Sequence, residues 1–380
     1  MPIDIKKEFA GVLFAPREEE IADATGCMYP RVVELKNAGK NNGELLATFE
    51  FYSKDEPVVA PIYKSVDGGR SWQLFSKVED TKNKFGMRFQ PMMLELDADC
   101  GDLKKGTLVF AGNSIPKDMS STEILFFISR DHGKTWKFRS SIAKGGAPVE
   151  QNFDKLGPIW EPFLFINKKG DLVAMFSDER YHGEEGYNQA IVQKRSSDGG
   201  KTWTKEEFVV ALHDKILRPG MPIVTKMANG EFFLCYEIVG TFCNDIHFKI
   251  SKDGEDWGNP NSKGTRAETE DGFYLGSMPY CVFTHKGGKK GAVILTAKRD
   301  NGEIGLNQGH FLVNYNYGKG YWQKLPLIVE YDNRILHTGW SKGMALIKNE
   351  EELIMLSPVQ TNNKLMHIAF SIAKVEEVKL

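Results

Sequence analysis

Glu123-Ile-Leu-Phe-Phe-Ile-Ser129-Arg-Asp131-His-Gly133-Lys-Thr135-Trp136 is an apolar run that ends in a tightly specified turn. The run has the aliphatic and aromatic make-up of a buried strand. In the turn, the Asp side chain can accept hydrogen bonds from nearby backbone N–H groups, and the glycine can take the left-handed conformation. The tryptophan opens the next strand and is expected to pack back over the turn. The same pattern recurs as Ser65-x-Asp67-x-Gly69-x-Ser71-Trp72 and as Ser196-x-Asp198-x-Gly200-x-Thr202-Trp203. A shortened copy is Ser251-x-Asp253-Gly254-x-x-Trp257, and a worn one runs from Asn316 to Trp322. Asp67, Asp131, Asp198 and Asp253 follow one another at intervals of 64, 67 and 55 residues, a regularity that chance does not produce. The motif is read as structural: it closes hairpins.

Each interval holds a second pattern: a strand opened by Pro or a small residue, a turn that in five of the six copies carries a Gly, then another apolar strand. The paired runs are 30–35 with 43–49, 91–96 with 106–111, 162–166 with 170–176, 222–225 with 230–236, 279–283 with 291–296, and 343–347 with 352–356. Units of roughly 60 residues with four strands each are propeller blades. Six of them predict an all-β, six-bladed propeller. The sixth unit runs out after 367–372, so the N-terminal run 9–14 is expected to supply its outer strand and close the ring. The period leaves no linker, and residues 1–380 are read as one propeller domain.

Composition agrees with a globular chain: 41% hydrophobic, 26% charged, with 24 Phe and 12 Tyr. The net charge of −2 is spread along the chain, which excludes a nucleic-acid or membrane-surface footprint. No apolar run approaches the ~18 residues of a membrane span. The N-terminus lacks the apolar core of a signal peptide, so a cytoplasmic location is expected, or a secreted one if a leader has been removed. Cys27, Cys100, Cys235, Cys243 and Cys281 form no CxxC pair and are expected as reduced thiols. The eight histidines show no metal-site spacing, and no phosphate-binding loop or dinucleotide motif is present. No cofactor or metal is expected.

Topology sorts residues between two faces. In each blade the turn after the first strand shares a face with the Asp-bearing turn. The starts of first strands and the ends of second strands share the other face, around the central funnel. Those positions carry Tyr29, Arg31, Arg88, Gln90, Trp160, Glu161, Arg218, Ser277, Tyr280 and Trp340, then Glu50, Asn113, Asp178, Glu179, Arg180, Glu237, Lys298, Arg299 and Asp300. Strands this apolar should not end in charge on an inner rim unless the charges are paired or used. Glu161, between Trp160 and Pro162, and Glu237, between Tyr236 and Ile238, lie in adjacent blades. Two carboxyls in one apolar cleft suit glycoside hydrolysis, one protonated and one ionised. The competing reading is that each pairs with a rim arginine. The same ambiguity holds for Arg31, Arg88, Arg180, Arg218 and Arg299, which can bind substrate or neutralise Glu50, Asp178 and Asp300. Tyr29, Trp160, Tyr280 and Trp340 suit stacking on sugars or plain rim packing.

The repeated octapeptide on six blades resembles the Asp box of the sialidase superfamily, over essentially the whole chain. Sialidases use an arginine triad and a Tyr–Glu nucleophile pair. Here Tyr29-Pro-Arg31-Val departs from their Arg-Ile-Pro opening, and Trp340-Ser341 stands where Tyr-Ser is expected. Trp160-Glu161-Pro162, Phe176-Ser-Asp-Glu-Arg180 and Cys235-Tyr236-Glu237 more closely resemble glycoside hydrolase family 93, the exo-α-1,5-L-arabinanases. That resemblance implies a retaining exo-enzyme taking short arabinose units from the non-reducing end. It implies Glu161 as acid/base and Glu237 as nucleophile, roles that can be exchanged. Tyr29, Arg31, Arg88, Trp160, Asp178, Arg180, Arg218, Tyr280, Arg299 and Trp340 are then the substrate-binding candidates. A sialidase-like hydrolase of acidic sugars and a non-catalytic carbohydrate-binding propeller remain the alternatives. The expected partner is an oligosaccharide or polysaccharide, with no nucleic acid and no membrane, and the chain is expected as a monomer.

Overall fold

The computed structural model describes residues 1–22, 25–148, 156–182, 186–302, 309–360 and 364–378. Six four-stranded antiparallel sheets stand around a common axis. Blade 1 is Cys27–Glu34, Leu45–Phe51, Ala60–Ser65 and Gln73–Val78; blade 2 is Met87–Glu95, Leu108–Ser114, Thr122–Ser129 and Lys137–Gly145. Blade 3 is Ile159–Ile166, Leu172–Asp178, Ala190–Ser196 and Glu207–Ala211; blade 4 is Arg218–Lys226, Phe232–Val239, Ile246–Ser251 and Thr265–Arg266. Blade 5 is Tyr280–Thr284, Ala292–Thr296, His310–Asn314 and Gln323–Pro326. Blade 6 is Gly343–Ile347, Glu352–Gln360 and Met366–Glu377, with Ile3–Phe14 as its outermost strand. Val12 pairs with Ala369 and Phe14 with Ile368, so the two ends of the chain close the ring in one sheet. The innermost strands touch their neighbours in a complete circuit, blade 6 against blade 1 included. No helix of the described residues is long and apolar enough to cross a membrane.

The Asp boxes hold as read. In blade 3, Asp198 Oδ1 accepts the N–H groups of Lys201 (2.9 Å) and Thr202 (3.1 Å), and Oδ2 accepts the Thr202 hydroxyl (2.6 Å). These bonds favour the charged form, and the pKa falls to about 2 although partial burial opposes it. The worn fifth copy is built differently, with Asn314 Oδ1 taking the N–H groups of Asn316 and Gly318 at 2.8 Å. The tryptophans depart from the expectation. Trp72 donates to Gly69 O of its own turn (2.9 Å), but Trp203 and Trp257 reach into the preceding blade, to Ser140 Oγ (2.9 Å) and Gln193 Oε1 (3.1 Å). The box therefore staples blade to blade as well as closing its hairpin. Its second glycine sits in that seam: Gly200, at φ +77°, would place a Cβ 2.2 Å from the Phe126 ring of blade 2.

Register fixes the two faces. Leu172 pairs with Ser196 and Asp178 with Ala190; in blade 4, Phe232 pairs with Ser251 and Glu237 with Ile246. The boxes thus lie at the strand ends away from Glu161 and Glu237. All five cysteines are unpaired, four of them buried.

Candidate active site

The prolines that open the inner strands mark a repeated distortion. Tyr29, Gln90, Glu161, Met221 and Met278 each precede a proline and each has positive φ, between 50° and 60°. Ser341 of blade 6 does the same at φ 50° without the proline. A residue before proline is normally held extended, and a left-handed non-glycine costs about 1–2 kcal/mol. The pairing register slips at each such point in blades 1 to 4, between Met28 and Arg31, Phe89 and Met92, Trp160 and Phe163, and Gly220 and Ile223. Bulges of this kind re-aim a side chain. In blades 2 to 5 the N–H of the residue before the proline donates to a side chain of the preceding blade. Gln90 N donates to Glu50 Oε1 (2.6 Å) and Glu161 N to Gln90 Oε1 (3.0 Å). Met221 N donates to Glu161 Oε2 and Met278 N to Glu237 Oε2, both at 2.8 Å.

Above this ring lies a cavity of about 550 Å³. Met28, Tyr52, Phe89, Trp160, Met278 and Trp340 form its apolar wall, and Glu161 and Glu237 both face it. Glu161 accepts three hydrogen bonds: the Tyr29 hydroxyl at 3.2 Å on Oε1, and the Ser177 hydroxyl (2.6 Å) and Met221 N–H on Oε2. Gly220 lies against this carboxylate, and a Cβ there would come within 2.5 Å of Gln189 Nε2. Burial in the funnel raises the Glu161 pKa, and the three donors oppose the rise. Glu237, 7% exposed, accepts only the Met278 N–H among the described residues. Burial, then the neighbouring charge of Glu161, pushes Glu237 up to about 7. Among the described residues neither glutamate is in an ion pair.

The other sequence candidates divide cleanly. Tyr29, Trp160, Arg218 and Trp340 line the cavity. Arg218 is held there by Glu179 Oε1 (2.7 Å) and Gln189 Oε1 (2.9 Å), and Trp160 Nε1 donates to the same Glu179 oxygen (2.8 Å). Arg31 lies beneath, 6% exposed, between the rings of Tyr29 (5.5 Å) and Tyr280 (5.2 Å), with Ser341 Oγ at 2.9 Å from Nη2. Neither Arg31 nor Tyr280 reaches the cavity wall. Arg88 grips Glu56 at 2.7 and 2.8 Å, and Arg180 grips Asp178 (2.6 Å) and Glu206 (3.0 Å). Arg88, Asp178 and Arg180 are thus neutralised away from the cavity, and Arg299 is exposed outside its lining. Sequence reading passed over Ser177 and Gln189, and noted Glu50, Gln90 and Glu179 without choosing them. Ser177 had a signal: it ends an apolar strand opposite Trp160, next to Glu161. No group of three His, Cys, Asp or Glu among the described residues could hold a metal.

A BNR/Asp-box repeat model matches residues 127–138, the blade 2 box. Comparison with curated proteins gives no match. Among solved structures, the chain is similar to the Penicillium chrysogenum α-L-arabinanase complexed with arabinobiose. Identity there is 33%, over 97% of this chain and 98% of that one, with a TM-score of 0.83. The GH93 α-L-arabinofuranosidase of Fusarium graminearum, also complexed with arabinobiose, is 28% identical over 97% of this chain and 98% of that one, with a TM-score of 0.81. A Trypanosoma rangeli sialidase shares the fold at 15% identity and a TM-score of 0.57, over 97% of this chain and 60% of that one. With the arabinanase at one third identity over almost its full length, and with two glutamates facing one funnel cavity, the chain belongs to glycoside hydrolase family 93.

Proposed function

We propose that this glycoside hydrolase is a retaining exo-α-L-arabinanase that works through Glu161 and Glu237. The observation that carries the mechanism is the unequal solvation of the two carboxyls. Burial raises both carboxyls, but three donors oppose the rise at Glu161. Glu237 has one donor among the described residues and is pushed up to about 7, so Glu161 is the more readily ionised of the two. On this ground the roles are exchanged from the sequence expectation. Glu161 attacks the anomeric carbon, and Glu237 first gives its proton to the leaving oxygen, then takes one from water.

Charge supports a neutral sugar over an acidic one. Among the described residues, the cavity wall carries Glu50, Glu161, Glu179 and Glu237 against one cation, Arg218, which is already bonded to Glu179. No arginine cluster for a substrate carboxylate lines the cavity among the described residues, because Arg88 and Arg180 are spent on Glu56, Asp178 and Glu206. Arg31 and Tyr280 fill the funnel beneath, and a pocket with a floor takes a chain end rather than a chain middle. The arabinobiose bound by both family relatives supports a disaccharide product. The test is digestion of debranched arabinan and sialyl-lactose side by side, with product anomers followed by NMR. Arabinobiose released with its anomeric configuration retained is the expected result. Release of sialic acid, inversion, or a ladder of mid-chain fragments would overturn the proposal.

A further inference from the structure

The proposed mechanism uses two carboxyls, yet four line the cavity. Glu179 is accounted for by Arg218 and Trp160. Glu50 is not. It ends the second strand of blade 1, is 3% exposed, and is in no ion pair among the described residues. Its Oε1 takes the Gln90 N–H at 2.6 Å, while Oε2 has only the Tyr52 hydroxyl at 3.4 Å, a long bond for two oxygens. Arg31 is the nearest help, but its guanidinium is bonded to Pro30 O, Ser341 O and Ser341 Oγ. Accepting the Gln90 N–H needs one oxygen only, and an amide would serve as well, so that structural role does not account for the second oxygen of this buried acid.

Resting on the arabinanase reading, we propose that Glu50 is a substrate-recognition residue whose carboxyl hydrogen-bonds the hydroxyls of the sugar held against Glu161. The two residues are linked by a short chain, since Gln90 N binds Glu50 while Gln90 Oε1 takes the Glu161 N–H. Titratable groups facing Glu50 are Cys27, Tyr29, Arg31 and Tyr52 of blade 1 and Glu161 of blade 3. Burial outweighs them and raises Glu50 to about 8. A protonated carboxyl is both donor and acceptor, which matches a sugar hydroxyl that is also both. An amide has the same capacity.

The experiment is calorimetric titration of arabinobiose into the wild type, Glu50→Ala and Glu50→Gln, at pH 6 and pH 9. Glu50→Ala should weaken binding at pH 6 by ten-fold or more. Glu50→Gln should restore most of that loss and, unlike the wild type, keep its affinity at pH 9. Wild-type affinity in Glu50→Ala overturns the assignment, as does a Gln variant no better than Ala. If the wild type itself binds no arabinobiose, the substrate reading falls and this inference with it. If the wild type binds and Glu50→Ala binds equally, only the role of Glu50 falls.

Discussion

Replacing Tyr29 by Phe removes one oxygen and tests which glutamate is ionised. The ring is 3% exposed and stacks on the Arg31 guanidinium at 5.5 Å, so its packing should survive the change. What disappears is the hydroxyl that donates to Glu161 Oε1 at 3.2 Å, one of three donors on that carboxylate. A hydrogen bond to a charged acceptor contributes ~1.5–3 kcal/mol, and 3.2 Å is long for two oxygens, which places this one at the low end. At ~1.36 kcal/mol per pKa unit, Glu161 should rise by about one unit. Glu161 must be ionised to attack, so the acidic limb of the kcat/KM profile should move up by about one unit, with about a ten-fold loss below it. The alkaline limb, set by Glu237 near 7, should stay in place. The assay is initial rates on an activated aryl arabinoside from pH 4 to pH 9. If the alkaline limb moves instead, Glu161 is the acid and the assignment is reversed; if neither moves, Tyr29 does not act on that charge.

Glu161→Ala and Glu237→Ala should each reduce turnover by several orders of magnitude, and azide should rescue both on the aryl substrate. The Glu161 variant should yield the inverted glycosyl azide and the Glu237 variant the retained one, read by NMR. Glu237 and Glu50 should contribute a loss of stability as pH rises from 5.5 to 8.5. Glu237 and Glu50 are raised to about 7 and about 8, so the native state binds more protons than the unfolded chain across that window. Each group then subtracts up to ~1.4 kcal/mol per pH unit. Lys342, His247 and His367, whose pKa values burial lowers, act in the opposite sense. The test is therefore the difference between urea midpoints of the wild type and Glu50→Gln, which should shift in favour of the variant as pH rises; a difference that does not change with pH contradicts the raised state of Glu50. Gly200→Ala should cost ~2–3 kcal/mol, because φ is +77° and the new methyl meets Phe126. It should leave kcat unchanged, since the box lies on the far face.

The fold was legible because its local chemistry repeats. Asp67, Asp131 and Asp198 each announce a hairpin, and the spacing between them gives the blade length without any long-range information. Ring closure was legible for a bookkeeping reason: blade 6 ran out of chain at 367–372, and 9–14 was the only spare strand. The strand proved longer, Ile3–Phe14, because its exposed half follows the edge of Met366–Glu377 rather than an apolar pattern. The site was legible to the level of the face. Which rim charge is used was not, because that depends on partners distant in sequence. Arg88 and Arg180 looked equivalent to Arg218, but Glu56 and Glu206, 32 and 26 residues away, hold the first two off the cavity, whereas Glu179 holds Arg218 on its wall. Ser177 and Gln189 carry no local signature, since both act through residues 16 and 30 positions away.

What the sequence does display, read in hindsight of the structure, is where the six blades stop being alike. The residue before the opening proline takes the same left-handed conformation in five blades, and its side chain identity is Tyr29, Gln90, Glu161, Met221 or Met278. The backbone requirement is constant, and the N–H it strands must find an acceptor in the blade behind. That requirement alone explains why polar groups crowd an apolar rim: Glu50, Gln90, Glu161 and Glu237 each satisfy one such N–H. Structure therefore needs an acceptor at each of these points, but not a charge, and Gln90 shows that an amide suffices. Carboxyls at Glu161 and Glu237 exceed that structural need, and the proposed mechanism gives the excess a use. On the proposed mechanism, the strain at these positions is a consequence of the fold rather than a device added for catalysis.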